Sequence, residues 1–258
     1  MEVHHPHHAP KNWKEYFGEF FMLFLAVSLG FLVENQREHY VEAHRAEELA
    51  QALLKDLTVD TIEFDSFLNQ RNEDRKSFQA AIKIMDTRGM IPKDSVLYYH
   101  FMKGIFVWRY ADFRQANLDQ IISSGSLRYF KNEELIQAIS DLKLAFKRVE
   151  FRQDREKNYF YDYIQPLVSD HVNLEYADSI RLGIPRTKML EIIRNKPSLL
   201  SKKDFFFNLN EPGFQAKTVN TIRNMDYLIS VTNSGYYKRY QLASKNLIRL
   251  LKQNFKTE

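Results

Sequence analysis

The chain has 258 residues and a mass of 30.8 kDa, with 37 Lys+Arg, 33 Asp+Glu, 8 His and no Cys. The absence of cysteine excludes a disulfide framework, a thiolate zinc site, an iron–sulfur cluster and a Cys nucleophile. Eight Gly and seven Pro fall below the usual share, which disfavours turn-rich all-β folds and Gly-rich phosphate-binding folds.

The chain opens on a His-rich tail, taken as residues 1–16, in which His4, His5, His7 and His8 are the only candidate metal ligands. Clustered imidazoles suit Zn, Ni or Cu, yet without fixed geometry the tail reads as flexible and polar, and no metal or other cofactor is expected. Phe20 to Val33 is a run of 14 residues without a charge. Extended back to Phe17 it makes roughly 26 Å of helix, close to the hydrocarbon thickness of about 30 Å. Trp13 and Tyr16 sit where an interfacial aromatic belt belongs, and Lys11 and Lys14 lie just outside. Glu19, near the end of the span, is the awkward residue. A cleaved signal peptide is disfavoured because Leu29 to Val33 continues the apolar run past Ala26-Val27-Ser28. An ordinary core helix is disfavoured because the run is apolar on every side. The expected element is a retained single-pass transmembrane helix over 17–34, with Trp13, Tyr16, Phe20, Leu25, Ala26, Gly30 and Val33 as its anchoring positions. Ala26 and Gly30 form a small-x-x-x-small step that permits close helix approach, so a homo-oligomer is one expectation. Lys11 and Lys14 on one side balance Arg37 and Arg45 on the other. The short tail favours an N-terminus inside and a bulk that is periplasmic, across a bacterial inner membrane.

Residues 35–258 read as one extramembrane domain. From Phe31 to Arg88 there are 58 residues without Gly or Pro, roughly 87 Å if helical. A 3-4 stripe runs Ala46, Ala50, Leu53, Leu57, Asp60, Phe64, Phe67, Arg71, Asp74, Phe78, Ala81, Met85. Nine of these twelve positions are apolar, the spacing of a coiled-coil-like stalk. The polar stretch Asn69 to Lys76 is a candidate break or solvated turn. Gly89 and Pro92 end the segment, and Asp94 caps a short helix. A second longer helix is expected over Tyr110 to Ser124, closed by Gly125 with Leu127 as the following hydrophobic contact. Asn132-Glu133-Glu134 starts a third long helix with Leu135, Ile139, Leu142 and Phe146 on its apolar face, stopped near Tyr163 by Pro166. Residues 167–212 read as short helices and loops. Phe214 to Phe255 returns to helical spacing through Val219, Ile222, Ile229, Tyr236, Tyr240, Ala243, Leu247 and Leu250, with a possible kink at Gly235. The fold class is therefore all-α: a transmembrane helix continuing into a stalk, and four long helices in an antiparallel bundle.

Two stretches resemble a known family. They are Trp13-Lys14-Glu15-Tyr16-Phe17 leading through MLFLAV to Glu34-Asn35-Gln36-Arg37-Glu38-His39, and Ile121 to Leu127 followed by Lys131 to Leu135. Together they resemble a family of uncharacterised single-pass membrane proteins of Bacteroidota, over most of the chain. The resemblance implies an N-terminal anchor and a helical extramembrane domain, and brings no activity or catalytic residues with it.

Motifs for chemistry are sparse. His39 and His44 stand among Glu38, Glu42, Glu47 and Glu48, but no Glu-x-x-His pair of the di-iron kind occurs. Asp56, Asp60 and Glu63 share one helical face and read as a solvated surface before a cation site. There is no P-loop, dinucleotide fingerprint or nucleophile elbow, and Ser123-Ser124-Gly125 fits a helix end better than a nucleophile. No enzyme activity is expected. Residues 176–258 carry 15 Lys+Arg against 6 Asp+Glu, while the rest is net acidic. Arg181, Arg186, Lys188, Arg194, Lys196, Lys202 and Lys203 form a candidate patch for an anionic partner; nucleic acid is not the expected one, and pairing with the acidic stalk competes. The expected role is a membrane-anchored helical scaffold or accessory subunit that binds another protein. The alternative is a membrane-bound sensor or ligand-binding domain signalling through its stalk helix.

Overall fold

With no Gly or Pro to interrupt it beyond Gly30, the N-terminal helix runs unbroken. In a computed structural model, which describes residues 12–174, 185–195 and 206–255, α1 spans Trp13–Arg88, 76 residues or roughly 114 Å. No break separates the apolar run from the rest of the helix at 34, nor does one occur at Asn69 to Lys76. Residues from Trp13 to Tyr40 touch little else, and Ala46 is the first buried position. The apolar part reaches a mean hydropathy of 1.9, so this one helix is long and apolar enough to cross a membrane. The end of the bundle nearest this run is the proximal end.

Of the twelve stripe positions on α1, all but Phe67 are buried, and Phe67 packs partly buried against the core. Three further legs cover that stripe. The second contains α2 (Ser95–His100), a π-helical turn over Phe101–Ile105, an irregular stretch, and α3 (Ala116–Ser123). It descends antiparallel to α1: Gly104 lies against Asp74, Arg114 against Asp60, Asn117 against Asp56 and Arg45 against Tyr129. The helix expected from Tyr110 is therefore shorter, beginning at Ala116. Residues 107–115 are drawn out instead, because Arg109, Ala111 and Arg114 bond to side chains of neighbouring legs. Gly125 adopts a left-handed φ of 73°, as a helix-closing glycine should.

The third leg is α4 (Glu133–Tyr159), a π turn over Phe160–Ile164, and α5 (Gln165–His171). Asn132 caps α4 by accepting from the Leu135 amide at 3.2 Å. Asn132→Ala is expected to cost about 1 kcal/mol in denaturant titration. Pro166 does not stop this leg: it lies in the first turn of α5, where the missing N–H is no loss. After α6 (Arg186–Asn195), the fourth leg combines α7 (Phe214–Val231), a π turn over Thr232–Tyr237 that contains Gly235, and α8 (Lys238–Asn254). It descends between α1 and α4, with Gln215 beside Met85 at one end and Asn254 beside Asn132 at the other. The architecture is an up-down-up-down bundle with three continuous legs and one broken leg, not four long helices. Among the described residues there is no strand, only an isolated bridge between Val172 and Phe207.

Candidate functional site

The bundle holds two apolar clusters. A proximal one gathers Leu53, Leu57, Leu118, Ile139 and Leu247; a distal one gathers Phe78, Leu97, Phe160, Ile222 and Met225. Between them lies a buried ionic layer to which every leg contributes. Arg71 of α1, 3% exposed, is ion-paired with Glu156 of α4, which is fully buried. Arg71 also donates to Asn233 Oδ1 at 2.7 Å and to the Arg109 carbonyl at 3.0 Å. Asp74 accepts from Arg109 Nε, and Arg152 lies 5.1 Å from the Tyr236 ring centroid. Burying charge is costly unless each group finds partners; four legs supply most of them here, while Glu156 Oε1 and Arg152 Nε have no hydrogen-bond partner among the described residues. The π turns accompany this layer: Gly104 abuts Asp74, Phe160 follows Glu156 by one turn, and Asn233 lies inside the third. Each π turn takes up one extra residue, a rotation of roughly 100° that rephases the buried faces on either side.

Beside the layer, the irregular stretch of the second leg and the outer face of α4 enclose an open groove of about 510 Å³. Its walls include Trp108, Tyr110 and Tyr161, with Asp112, Glu150 and Asp154 at the polar side. Trp108 stacks on Tyr110 with centroids 5.5 Å apart and meets Tyr161 edge-on at 6.5 Å. Gln153 lines the groove and accepts from the Tyr237 hydroxyl at 3.0 Å. The Tyr237 ring in turn lies 5.3 Å from the Arg71 guanidinium carbon, so groove and ionic layer are in contact. Burial pushes the Tyr237 phenol well above its ordinary value, so it stays a neutral donor. Sequence reasoning missed the groove; the available signal was Glu150, Asp154, Lys157 and Tyr161 at i, i+4, i+7 and i+11, one face of a helix.

The acids singled out from sequence serve the second leg. Asp60 accepts the Arg114 amide at 2.9 Å and its guanidinium at 2.6 Å, Glu63 binds the same guanidinium at 2.8 and 3.0 Å, and Asp56 accepts from Asn117 at 2.8 Å. Asp60 is buried and not part of a solvated face. His39 and His44 are exposed on α1, near Glu42 and Glu48. The Ser123 and Ser124 hydroxyls bond back to the carbonyls of Asp119 and Gln120. Among the described residues no three His, Cys, Asp or Glu gather as a metal site. His4, His5, His7 and His8 lie outside the described residues, as do Arg181, Lys196, Lys202 and Lys203 of the basic patch. Arg186 opens α6, and Lys188 and Arg194 are exposed on it. Arg194 stands 6.0 Å from the Tyr99 ring centroid at the distal end. Val33 to Arg88 is roughly 80 Å of helix, which separates the end of the apolar run from the distal end where α6 stands. The anchoring positions Trp13, Tyr16, Phe20, Leu25, Ala26, Gly30 and Val33 are all exposed in the single chain.

Near that distal end, burial lowers the pKa of His100, and Lys103 and Arg194 lower it further against the pull of Asp94. The folded state thus binds a proton less readily than the unfolded chain, so stability is expected to fall as pH drops below about 6.5. His100→Gln should flatten that dependence in thermal melts between about pH 5 and 7.

Fold and site define a helical-bundle protein carried on one helix fit to span a membrane, with a buried ionic layer at mid-height. Set against known proteins, the chain matches no family model, no curated protein and no solved structure.

Proposed function

We propose that the protein is a membrane-anchored helical scaffold or accessory subunit of the Bacteroidota family it resembles, binding another protein without catalysis. The observation that supports this is α1 itself: one unbroken helix carries the exposed apolar run and the buried stripe of the bundle. Such a rod holds the distal tip at a fixed stand-off of roughly 80 Å, a spacing suited to reaching a partner. Lys188 and Arg194, exposed at that tip, support an anionic surface on that partner. The Ala26–Gly30 step leaves open space around Gly30 for a second copy in the membrane.

The domain is proposed to lie in the periplasm from an inner-membrane anchor. A C-terminal alkaline phosphatase fusion tests this: activity is expected, and an inactive fusion with an active cytoplasmic reporter would reverse the orientation. In-cell crosslinking from Lys188 followed by purification should then yield one defined protein partner. Recovery of the uncrosslinked chain alone from such cells would count against the scaffold reading.

The sensor alternative is favoured by one observation, the chain of contacts from the groove through Gln153 and Tyr237 to Arg71 on the anchor helix. It would give the groove a ligand and α1 a signal to carry.

A further inference from the structure

We infer that the groove between residues 108–113 and α4 is a binding site for a small organic ammonium ion. Three features converge on that chemistry. The first is the ring set: Trp108, Tyr110 and Tyr161 surround one opening, and the negative faces of aromatic rings attract a weakly hydrated cation. Tyr110 is 58% and Tyr161 48% exposed, so both stay open to a ligand, while Trp108 is half-buried against the distal cluster. The second is uncompensated charge. Among the described residues Asp112, Glu150 and Asp154 make no ion pair, and Lys157 is the single cation of the groove lining. Elsewhere on this chain acids next to arginines pair with them, as Asp60, Asp74 and Asp226 do; here the helix turns Arg148 and Arg155 to positions outside the groove lining. The third is size: about 510 Å³ falls within the usual range of ligand pockets, of order 300–1,000 Å³. A hard metal ion would demand converging oxygen ligands without rings, and no such cluster occurs among the described residues. A site of this kind goes beyond the scaffold reading, and the topology and crosslinking results do not bear on it.

Trp108 is one of only two tryptophans, so it reports on its own site. The full-length Trp13→Phe protein in maltoside micelles is titrated with choline chloride, with sodium chloride and with 3,3-dimethyl-1-butanol, the uncharged carbon isostere of choline. Saturable quenching by choline alone is the expected result. Glu150→Gln with Asp154→Asn, and separately Tyr161→Leu, should each weaken the apparent Kd about tenfold. These side chains are surface-exposed, and an unchanged circular dichroism melt confirms that each variant is folded. Equal quenching by the isostere, a linear response without saturation, or an unchanged Kd in the folded variants would overturn the assignment. A response to trilysine with none to choline would overturn it too, in favour of a surface for basic peptides.

Discussion

Glu156→Ala is expected to destabilise the protein by about 3–5 kcal/mol, because it strands the Arg71 charge in the middle of the bundle. Arg71 would keep Asn233 and the Arg109 carbonyl as acceptors but lose the only anionic partner it has among the described residues. Urea titration of the detergent-solubilised chain measures the change through the shift in midpoint at constant slope. The double variant Arg71→Met with Glu156→Leu is expected to recover most of the loss, since two apolar side chains of similar volume need no partner. A single variant costing under about 1 kcal/mol would mean that water reaches the layer and compensates the charge. Recovery in the double variant separates the cost of an orphaned charge from the worth of the pair itself.

Gly104→Ala is the second large effect, expected at about 2–3 kcal/mol. A Cβ at Gly104 would stand 2.5 Å from the Asp74 carbonyl oxygen and 2.8 Å from Ser77 Cβ. The nearest atom is backbone, so relief requires moving the second leg away from α1, and with it Arg109, which pairs with Asp74. Gly235→Ala is the matched control. Nothing lies within 4 Å of a Cβ there, and replacing a helical glycine should stabilise by about 0.5–1 kcal/mol. Both variants are read in the same urea titration, and a similar small effect from the two would mean that the second leg yields freely.

Much of the architecture is legible in the residues. The 58-residue stretch without Gly or Pro permits one unbroken helix, and every position of the 3-4 stripe but Phe67 is buried. Asp94, Gly125 and Asn132 mark helix ends through local side-chain or φ preferences that need no tertiary partner. The errors share one cause. Tyr110 to Gln115 has ordinary helical residues, but hydrogen bonds from Arg109, Ala111 and Arg114 to Asp74, Gln153 and Asp60 hold it out of a helix. Pro166 would break a regular helix, yet the π turn before it has already given up the regular bonding. Asn69 to Lys76 is a largely solvated part of the helix, with Asn69, Gln70, Asn72, Glu73 and Lys76 exposed, but Arg71 and Asp74 turn inward to partners on other legs.

Periodicity, caps and the uncharged run from Phe20 to Val33 are local properties, and they suffice to read an all-α chain with an apolar helix that continues into the bundle. The sequence even held Arg71 and Asp74 in register with the apolar stripe of α1, and Arg152 and Glu156 in register with that of α4. What those charges do was decided only by the tertiary structure, because a polar residue on a buried face is a defect until a partner is brought to it. Partners 85 residues apart, as in Arg71 and Glu156, meet only when four legs assemble. The groove is decided the same way: its rings and carboxylates come from segments more than 30 residues apart, and only packing sets them around one opening.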